Sequence, residues 1–379
     1  METRTRLLGR LQKRSQEREA AGMQRRLGSS WGGAFSSNDY LGYAEDQELR
    51  THLLAAVASG LSAGSTGSRL LSGGHPVFAE LEHEFACATG AERALFFGSA
   101  SEANRAAVTT LVGRHDFVVL DELAHASLWD GAVRSGARRD KFRHNDADDL
   151  RRTLRALPAT QTRLVLVESV YSMDGDVAPL AELLSVCEEE DALLLVDEAH
   201  ACGIYGEGRT GLSEGLPRSG ALVVTTHGCG KALASAGGVL CAPAQVIDEL
   251  INSCREFIFT TAPSPLAACA ALEALRLSRR QPERRETLFA LSRRLEAGLS
   301  ELGFHLPSRD TATAILPVLC GGLDTALRLE QRLSEAGFTL RAIRPPTVAV
   351  GSERLRLTLR ATQSDEEIDM LLETLRASR

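Results

Sequence analysis

The sequence predicts an α/β fold: a three-layer α/β/α domain with a mostly parallel sheet, followed by a smaller α+β domain. The apolar run Leu193–Val196, which leads directly into Asp197, is typical of a strand buried on both faces of a parallel sheet. Similar runs alternate with helical patterns along the middle of the chain, as such a domain requires. Beyond residue 275 the pattern changes to charged helices and short strands. We therefore predict an N-terminal segment at 1–44 that joins the small domain, a large domain at 45–275 and a small domain at 276–379.

Composition and charge narrow the classes of function. The chain has 379 residues, 44% apolar and 25% charged, as in ordinary soluble globular proteins. A formal net charge of −7 implies no general affinity for nucleic acid, and no apolar run approaches the roughly 20 residues of a membrane helix. The eight scattered cysteines are expected to be mostly buried thiols in a reducing compartment, the cytoplasm. Cys202 and Cys229 follow His200 and His227 at a spacing that fits no structural zinc pattern, so we expect no metal.

The elements before the large sheet follow from local patterns. Residues 1–27 are basic and amphipathic, and their glutamates favour a solvated helix over a transit peptide. The segment Ser36–Gly42 is rich in turn-forming residues. The loop Ser62–Arg69 is rich in glycine and serine, and it is either a linker or a loop that faces a ligand. From Pro76 onward, apolar residues recur with the period of a helix.

The remaining elements are assigned from apolar runs and periodicity. In the large domain the sequence predicts a strand at 117–120, a helix near 126–135, a strand at 163–168, a helix at 179–190, and strands at 192–197, 221–225 and 238–241. In the small domain it predicts helices at 283–302 and 324–336 and strands at 313–319 and 354–359. The last helix begins at Ser364, because Glu367 completes a capping box.

Polar residues follow several of the predicted strands. Asp197 ends one strand and His200 lies three residues further on, while Lys231 lies in a glycine-rich loop after the next strand and His125 follows the strand at 117–120. Ligands of open α/β sheets bind at the carboxyl ends of strands, and a buried carboxylate needs a cationic partner. A pyridoxal phosphate enzyme needs such a pair, a lysine for the Schiff base and an acid opposite the ring nitrogen. The alternative is that Asp197 only caps the next turn.

Two stretches of small residues are candidates for binding phosphate. Ser99-Ala100-Ser101 opens a helical pattern after an apolar run, and a helix N-terminus presents free amides to phosphate. Gly206–Gly211 matches the dinucleotide fingerprint, but it lies well after the strand that ends at Asp197, and no helix follows it clearly. We interpret it as a glycine-rich turn, which disfavours a nicotinamide oxidoreductase.

Arg354 and Arg356 alternate with leucines on a predicted strand, so both arginines share one face. A guanidinium binds a carboxylate through two parallel hydrogen bonds, as an amino-acid substrate requires. The alternative is an exposed strand face without a ligand.

Five segments together carry a family resemblance. Asn38–Gly42, His125–Ser127, Ser172–Asp176, Asp197–His200 and Gly230–Leu233 occur in the order seen in the α-oxoamine synthases. The chain resembles that family of fold-type-I pyridoxal phosphate enzymes over nearly its whole length. The resemblance implies pyridoxal 5′-phosphate as the cofactor and a reaction that joins an amino acid to an acyl thioester with loss of carbon dioxide. It also implies a homodimer with shared active sites.

The resemblance further assigns roles to residues. Lys231 resembles the Schiff-base lysine and Asp197 the partner of the pyridinium nitrogen. His200 is similar to the residue that bonds the cofactor's phenolic oxygen, and His125 to the histidine stacked on its ring. These four form the predicted catalytic set. The resemblance also assigns Ser172 to the cofactor, Asn38 to the substrate pocket, Arg354 to the substrate carboxylate, and Thr261 to the phosphate of the neighbouring subunit.

Two departures from the family pattern concern the phosphate. The family usually has glycine and an aromatic residue where this chain has Ala100-Ser101, and a threonine where this chain has Gly228. We expect the amides of residues 99–101 to bind the phosphate and Thr226 or His227 to replace the threonine. A non-catalytic relative is the alternative that these changes leave open.

The segment Ala342–Thr347, followed by Arg354-Leu355-Arg356, carries the substrate prediction. It is most similar to the corresponding segment of family members that use L-alanine and a pimeloyl thioester in biotin biosynthesis. The acyl carrier is then either coenzyme A or acyl carrier protein. Glycine with a short acyl-CoA is the alternative within the family.

Overall fold

The computed structural model describes residues 2–24, 35–216, 222–304, 306–307, 311–345 and 347–378. The chain divides into two units, Met1–Gly33 and Ala34–Arg379. The first contains helix α1 (Glu2–Ala20), whose leucines Leu7, Leu8 and Leu11 are 44–52% exposed. The predicted solvated helix is therefore present over residues 2–20, and positions 25–27 of that prediction lie outside the described residues.

A seven-stranded sheet forms the centre of the second unit. Its strands are β1 (Arg93–Phe97), β2 (Phe117–Asp121), β3 (Arg138–Phe142), β4 (Arg163–Glu168), β5 (Leu193–Asp197), β6 (Val223–Gly228) and β7 (Gly238–Ala242). Their spatial order is β1-β7-β6-β5-β4-β2-β3. Strand β7 is antiparallel to both of its neighbours and all other pairs are parallel, which confirms the predicted sheet. Residue 221, the predicted start of β6, lies outside the described residues.

Helices cover this sheet on both faces. They are α2 (Gln47–Ala58), α3 (Pro76–Thr89), α4 (Ala100–Leu111), α5 (Ala126–Ser135), α6 (Ala147–Arg155), α7 (Leu180–Glu189), α8 (Ala244–Ser253), α9 (Arg255–Ile258) and α10 (Pro265–Arg280). Along β5, Leu195 packs in the core formed with α4, α5 and α8, whereas Leu194 and Val196 pack in the core formed with α6 and α7. Burial on both faces explains why the apolar run of β5 is uninterrupted.

Strand β3 lacks the apolar run that reveals the other strands. Four of its five residues are exposed and only Phe142 is buried. The strand lies at the edge of the sheet and pairs only with β2. Charged side chains are common on edge strands because they discourage pairing with another chain, so this strand is not predicted from hydrophobicity.

The C-terminal part of the second unit forms a separate three-stranded antiparallel sheet, in the order β8-β10-β9. Its elements are α11 (Pro282–Glu301), β8 (Ile315–Leu319), α12 (Leu323–Glu335), β9 (Ala342–Ile343), β10 (Arg354–Thr358) and α13 (Asp365–Ala377). The predicted capping box at Ser364 and Glu367 is present. The carbonyl groups of Phe35 and Tyr40 accept backbone hydrogen bonds from Thr358 and Ala361, so residues 35–40 lie beside the end of β10. The division at residues 44 and 275 stays a prediction.

None of the helices in the described ranges combines the length and apolarity that a membrane-crossing helix requires.

Candidate active site

The carboxyl ends of three neighbouring strands bring the predicted catalytic residues to one edge of the large sheet. Glu168 ends β4 and Asp197 ends β5, and these two residues are paired in register. His200 follows Asp197, and Lys231 lies in the turn between β6 and β7. The charges of Asp197 and Glu168 both act on Lys231, so the three groups lie within electrostatic range of one another.

Asp197 is held by two hydrogen bonds in a buried position. The Ala199 amide donates to Oδ1 over 2.9 Å, and the Asn104 side chain donates to Oδ2 over 2.6 Å. The first bond is the turn cap that the alternative interpretation of Asp197 predicts. Asp197 therefore caps the turn through Oδ1 and contacts α4 through Oδ2, so the capping role and a role in the site are compatible.

Asn104 connects Asp197 with further site residues, and sequence reasoning misses it. Its Oδ1 accepts a hydrogen bond from Thr226 Oγ1 over 2.5 Å, and its Nδ2 also lies 2.9 Å from Ser127 Oγ. Ser127 Oγ in turn lies 2.8 Å from His125 Nδ1. The available signal is a lone amide on the buried, alanine-rich face of α4, because a buried amide needs polar partners.

Lys231 presents an amine without a partner. Within the described ranges of the chain, the Lys231 side chain makes no hydrogen bond and no ion pair. Burial lowers the pKa of Lys231, and the charges of Asp197 and Glu168 oppose that shift. A lower pKa enlarges the fraction of neutral amine, the form that acts as nucleophile and base.

The two predicted histidines lie close to Lys231 and are kept neutral. Burial lowers the pKa of His125, against the charge of Asp197, and the Lys231 cation lowers it further. Burial also holds the pKa of His200 well below its usual range, with Lys231 and Arg356 adding to the shift. A neutral imidazole keeps one donor and one acceptor nitrogen, so each histidine can donate a hydrogen bond and accept another.

Tyr40 connects His200 with residues from the start and the end of the chain. Its buried hydroxyl lies 2.7 Å from His200 Nδ1 and 3.0 Å from Asn38 Oδ1. Arg356 donates to Asn38 Oδ1 over 3.2 Å and, through Nε, to the carbonyl oxygen of Ser172. Asn38 and Ser172, which the sequence assigns to the substrate and the cofactor, thus both contact one guanidinium.

The structure favours a different arginine from the one that the sequence assigns to the substrate carboxylate. Arg354 forms an ion pair with Asp174 and also donates through Nε to the Ser352 carbonyl over 3.0 Å, so its guanidinium is already occupied. In the described part of the chain, Arg356 has no carboxylate partner. Its charge acts on both Lys231 and His200. Arg356 therefore replaces Arg354 as the candidate.

The N-terminus of α4 lies beside the turn that carries Lys231. Ser99 caps the helix by accepting the Glu102 amide over 3.1 Å, and the amides of Ala100 and Ser101 have no partner within the helix. Glycines allow the close approach: a Cβ on Gly238 would lie 2.5 Å from the Ala100 nitrogen, and one on Gly228 would lie 3.6 Å from the Ala100 Cβ. The geometry suits a phosphate, and the contact itself stays a prediction.

The two residues proposed to replace the missing threonine are engaged elsewhere. Thr226 donates its hydroxyl hydrogen to Asn104. His227 is fully buried, with Nδ1 2.8 Å from the Thr210 carbonyl and Nε2 2.8 Å from Thr225 Oγ1. Because both ring nitrogens of His227 have partners away from α4, the geometry does not favour the predicted contact of His227 with the phosphate.

Thr261 lies on an exposed segment. The Ala262 amide donates to the Gly67 carbonyl over 2.8 Å, and Ser65 donates to the Pro263 carbonyl over 2.6 Å. The predicted Ser62–Arg69 loop is therefore hydrogen-bonded to the segment that carries Thr261, and the neighbouring Phe259 is 71% exposed.

A carboxyl group that sequence reasoning misses completes the site. Glu168 is 2% exposed; the Ser172 amide donates to its Oε2 over 3.2 Å, while Oε1 has no partner among the described residues. Burial raises the pKa of Glu168 well above its usual range, and the charge of Asp197 adds to that shift. This carboxyl group is therefore biased towards its protonated form.

Comparisons with known proteins find relatives over most of the chain. Residues 34–375 match the family described as aminotransferase class I and II. The 8-amino-7-oxononanoate synthase of Alkalilimnicola ehrlichii is 43% identical over 343 residues, which cover 90% of this chain and 86% of that protein. The serine palmitoyltransferase of Sphingomonas wittichii has 32% identity and a TM-score of 0.85, covering 91% of this chain and 86% of that one. A structure of SPT with PLP has 28% identity and a TM-score of 0.89, covering 97% and 96%.

Proposed function

The chain belongs to the aminotransferase class I and II family, and we propose that it condenses L-alanine with a pimeloyl thioester to give 8-amino-7-oxononanoate and carbon dioxide. The structural observation that carries this proposal is Arg356, which has no carboxylate partner among the described residues and lies near Lys231 and the strand-end acid Asp197. An amino-acid substrate needs its carboxylate held, and a guanidinium holds it through two hydrogen bonds. The 43% identical relative favours L-alanine and a pimeloyl group over glycine and a short acyl-CoA.

Pyridoxal phosphate is the cofactor, and the residues of the site fit it. The family match and the PLP-containing SPT structure confirm this prediction. Lys231 offers a free amine for the aldehyde, Asp197 a buried acid for the ring nitrogen, and α4 its first amides for the phosphate. When bound, the cofactor supplies an electron-poor ring that takes up the electron pair left on the substrate Cα.

The roles of the protein groups follow from their positions. Arg356 binds the alanine carboxylate, which fixes the direction of the Cα–H bond. Lys231 Nζ, whose pKa is lowered by burial, accepts the proton from Cα and later returns one. Asp197 keeps a proton on the cofactor's ring nitrogen. Because the pKa of His200 is held well below its usual range, its imidazole is neutral. It therefore offers one hydrogen-bond donor and one acceptor to the site without adding a charge.

The overall reaction forms one carbon–carbon bond. It breaks two bonds, the carbon–sulfur bond of the thioester and the bond between Cα and the carboxylate of alanine. Alanine Cα loses a proton and bonds to the acyl carbon, the carbon–sulfur bond of the thioester breaks, and the alanine carboxylate departs as carbon dioxide. The proton removed from Cα and one further proton from solvent supply the proton on the released thiol and the proton returned to Cα. Carbon dioxide is neutral, so it no longer carries the negative charge by which the carboxylate was bound to Arg356. The contact that binds the amino acid therefore does not retain the released gas.

We propose further that the enzyme is a homodimer with shared active sites in the cytoplasm. The exposed Phe259 beside Thr261, and Leu71, which is 85% exposed in the adjoining region, support a contact surface there. All eight cysteines lie in the described residues and are free thiols, as a reducing compartment favours. Light scattering of the purified protein tests the dimer.

The acyl carrier is either coenzyme A or acyl carrier protein, and parallel assays with both thioesters distinguish them.

The substrate proposal is tested by comparing kcat/KM for two substrate pairs on one enzyme preparation. L-Alanine with pimeloyl thioester should be strongly preferred, with one carbon dioxide released per 8-amino-7-oxononanoate detected by mass. Glycine with acetyl-CoA should be much poorer, because each buried methylene of the longer acyl chain contributes about 0.8 kcal/mol. A preference for glycine and acetyl-CoA would leave the family intact and overturn the substrate.

A further inference from the structure

His144, outside the site described above, lies between two carboxylates. Its Nδ1 is 2.9 Å from Asp121 Oδ1 and its Nε2 is 2.7 Å from Asp176 Oδ2. Both partners are acceptors, and only the protonated imidazole donates from both nitrogens. The rings of His144 and Tyr171 are packed edge to face, with centroids 4.4 Å apart and an interplanar angle of 88°. The backbone amide of His144 also donates to Glu122 over 3.4 Å, and the side-chain amide nitrogen of Asn145 lies 3.2 Å from Nε2, so carboxylates, an aromatic ring and one neutral amide face this histidine.

The two carboxylates belong to different parts of the fold. Asp121 is the last residue of β2 and is fully buried. Asp176 lies in the hairpin at residues 169–178, which is closed by a bridge between Val170 and Val177. Asn145 parallels His144, since its amide donates to Asp121 Oδ2 over 2.9 Å and its side chain to Asp176 over 2.7 Å. Residues 144 and 145 thus connect the large sheet to the hairpin.

The opposite side of the hairpin contacts the small sheet. Asp174 pairs with Arg354, and the carbonyl of Ser172 accepts from Arg356. The Gly175 carbonyl accepts from Thr313 over 2.7 Å. A Cβ on Gly175, whose φ is +70°, would lie 2.4 Å from the carbonyl oxygen of Ile315, so the hairpin packs tightly here.

We propose that His144 is a positioning residue that fixes the 169–178 hairpin between the two sheets and thereby places Arg356. Resting on the proposed function, this makes His144 a determinant of amino-acid binding that touches neither substrate nor cofactor. No other described residue supplies a full positive charge to both Asp121 and Asp176 through hydrogen bonds.

Because His144 carries a positive charge between two carboxylates, replacing it should affect this hairpin specifically. Although burial lowers the pKa of His144, the hydrogen bonds that its ring donates to Asp121 and Asp176 raise that pKa to about 10. Without the cation, the two carboxylates would lie close together and, among the described residues, would share only the neutral Asn145 as a donor. Their repulsion would push the hairpin away from β2, and the Ser172 carbonyl would move with it.

The test uses His144→Gln in the full-length holoenzyme at neutral pH, with His52→Gln as the matched control. His52 also forms a histidine–carboxylate pair, at 2.7 Å from Glu273, but on α2 and α10. Amide hydrogen exchange in peptides covering 169–178 should be about tenfold faster in His144→Gln, because a charged hydrogen bond is lost. The KM for alanine should rise about tenfold while kcat changes less than about threefold. His52→Gln should change neither quantity.

A second variant separates positioning from general instability. Adding Asp176→Asn to His144→Gln removes the repulsion, so exchange in the hairpin and the KM for alanine should return towards the wild-type values. If His144→Gln does not fold, Asp176→Asn alone tests the contact between His144 and Asp176. Unchanged exchange of residues 169–178 in a folded variant would overturn the proposal whatever the substrate. Faster exchange with no alanine turnover in the wild type would instead overturn the proposed function.

Discussion

Glu168 and Asp197 end neighbouring parallel strands in register, so two carboxyl groups stand side by side at one edge of the sheet. Their environments differ. Asp197 accepts hydrogen bonds with both oxygens, whereas Glu168 has one buried oxygen without a partner among the described residues. Burial and the Asp197 charge raise the pKa of Glu168. The carboxyl group of Glu168 is therefore biased towards its protonated form, whereas that of Asp197 is held by two hydrogen-bond donors.

The first prediction compares isosteric changes at these two acids. Glu168→Gln should keep kcat/KM within about tenfold of wild type, because the amide replaces a carboxyl group that is already biased to neutrality. Asp197→Asn should lose about 10² to 10³ in kcat, because the ring nitrogen loses its anionic partner. Steady-state kinetics of both variants provide the check. Equal losses in the two would show that Glu168 acts as an anion.

The second prediction concerns Lys231. Borohydride reduction of the purified yellow protein should fix the cofactor on Lys231, because its amine has no partner among the described residues and burial lowers its pKa. Peptide mass mapping identifies the labelled residue. Lys231→Ala should fold and show no turnover. Label on any other lysine would contradict the assignment.

The third prediction separates the two arginines of β10. Arg356→Ala should raise the KM for alanine by about 30- to 150-fold, since losing a charge-assisted contact costs about 2–3 kcal/mol. Arg354→Ala should mainly lower thermal stability, because it leaves Asp174 without its ion partner. Alanine KM and melting temperature are measured for both variants. A larger KM effect from Arg354→Ala would restore the assignment made from the sequence.

The fourth prediction is a pH dependence of stability. The pKa of His144 is about 10 in the folded protein, against 6.5 as its ordinary value, and Asp121 and Asp176 cause the increase. Its stabilising contribution should be full below pH 6.5 and decline as pH rises towards 10. Urea unfolding of wild type and His144→Gln should show a difference in unfolding free energy that narrows over this range. A difference that widens with pH would contradict the prediction.

Much of the fold and the centre of the site follow from sequence alone. The apolar run of β5 requires burial on both faces, and Asp197 and Lys231 follow strand ends, where parallel strands converge on one edge. The same reasoning applies to Glu168, which ends β4 after an apolar run, so its signal was available. The local sequence pattern was sufficient wherever the position of a residue depends only on the strand or helix that contains it.

Residues whose partners lie far along the chain required the tertiary structure. Arg354 and Arg356 share one face of β10, so spacing could not distinguish them; only the docking of the hairpin gives Arg354 the carboxylate of Asp174 and leaves Arg356 free to bind an anion. His227 lies in a glycine-rich loop in sequence, yet its ring turns into the core towards Thr210. Sequence periodicity determines which face a side chain lies on, but hydrogen bonds between distant segments decide which side chain keeps an unpartnered charge.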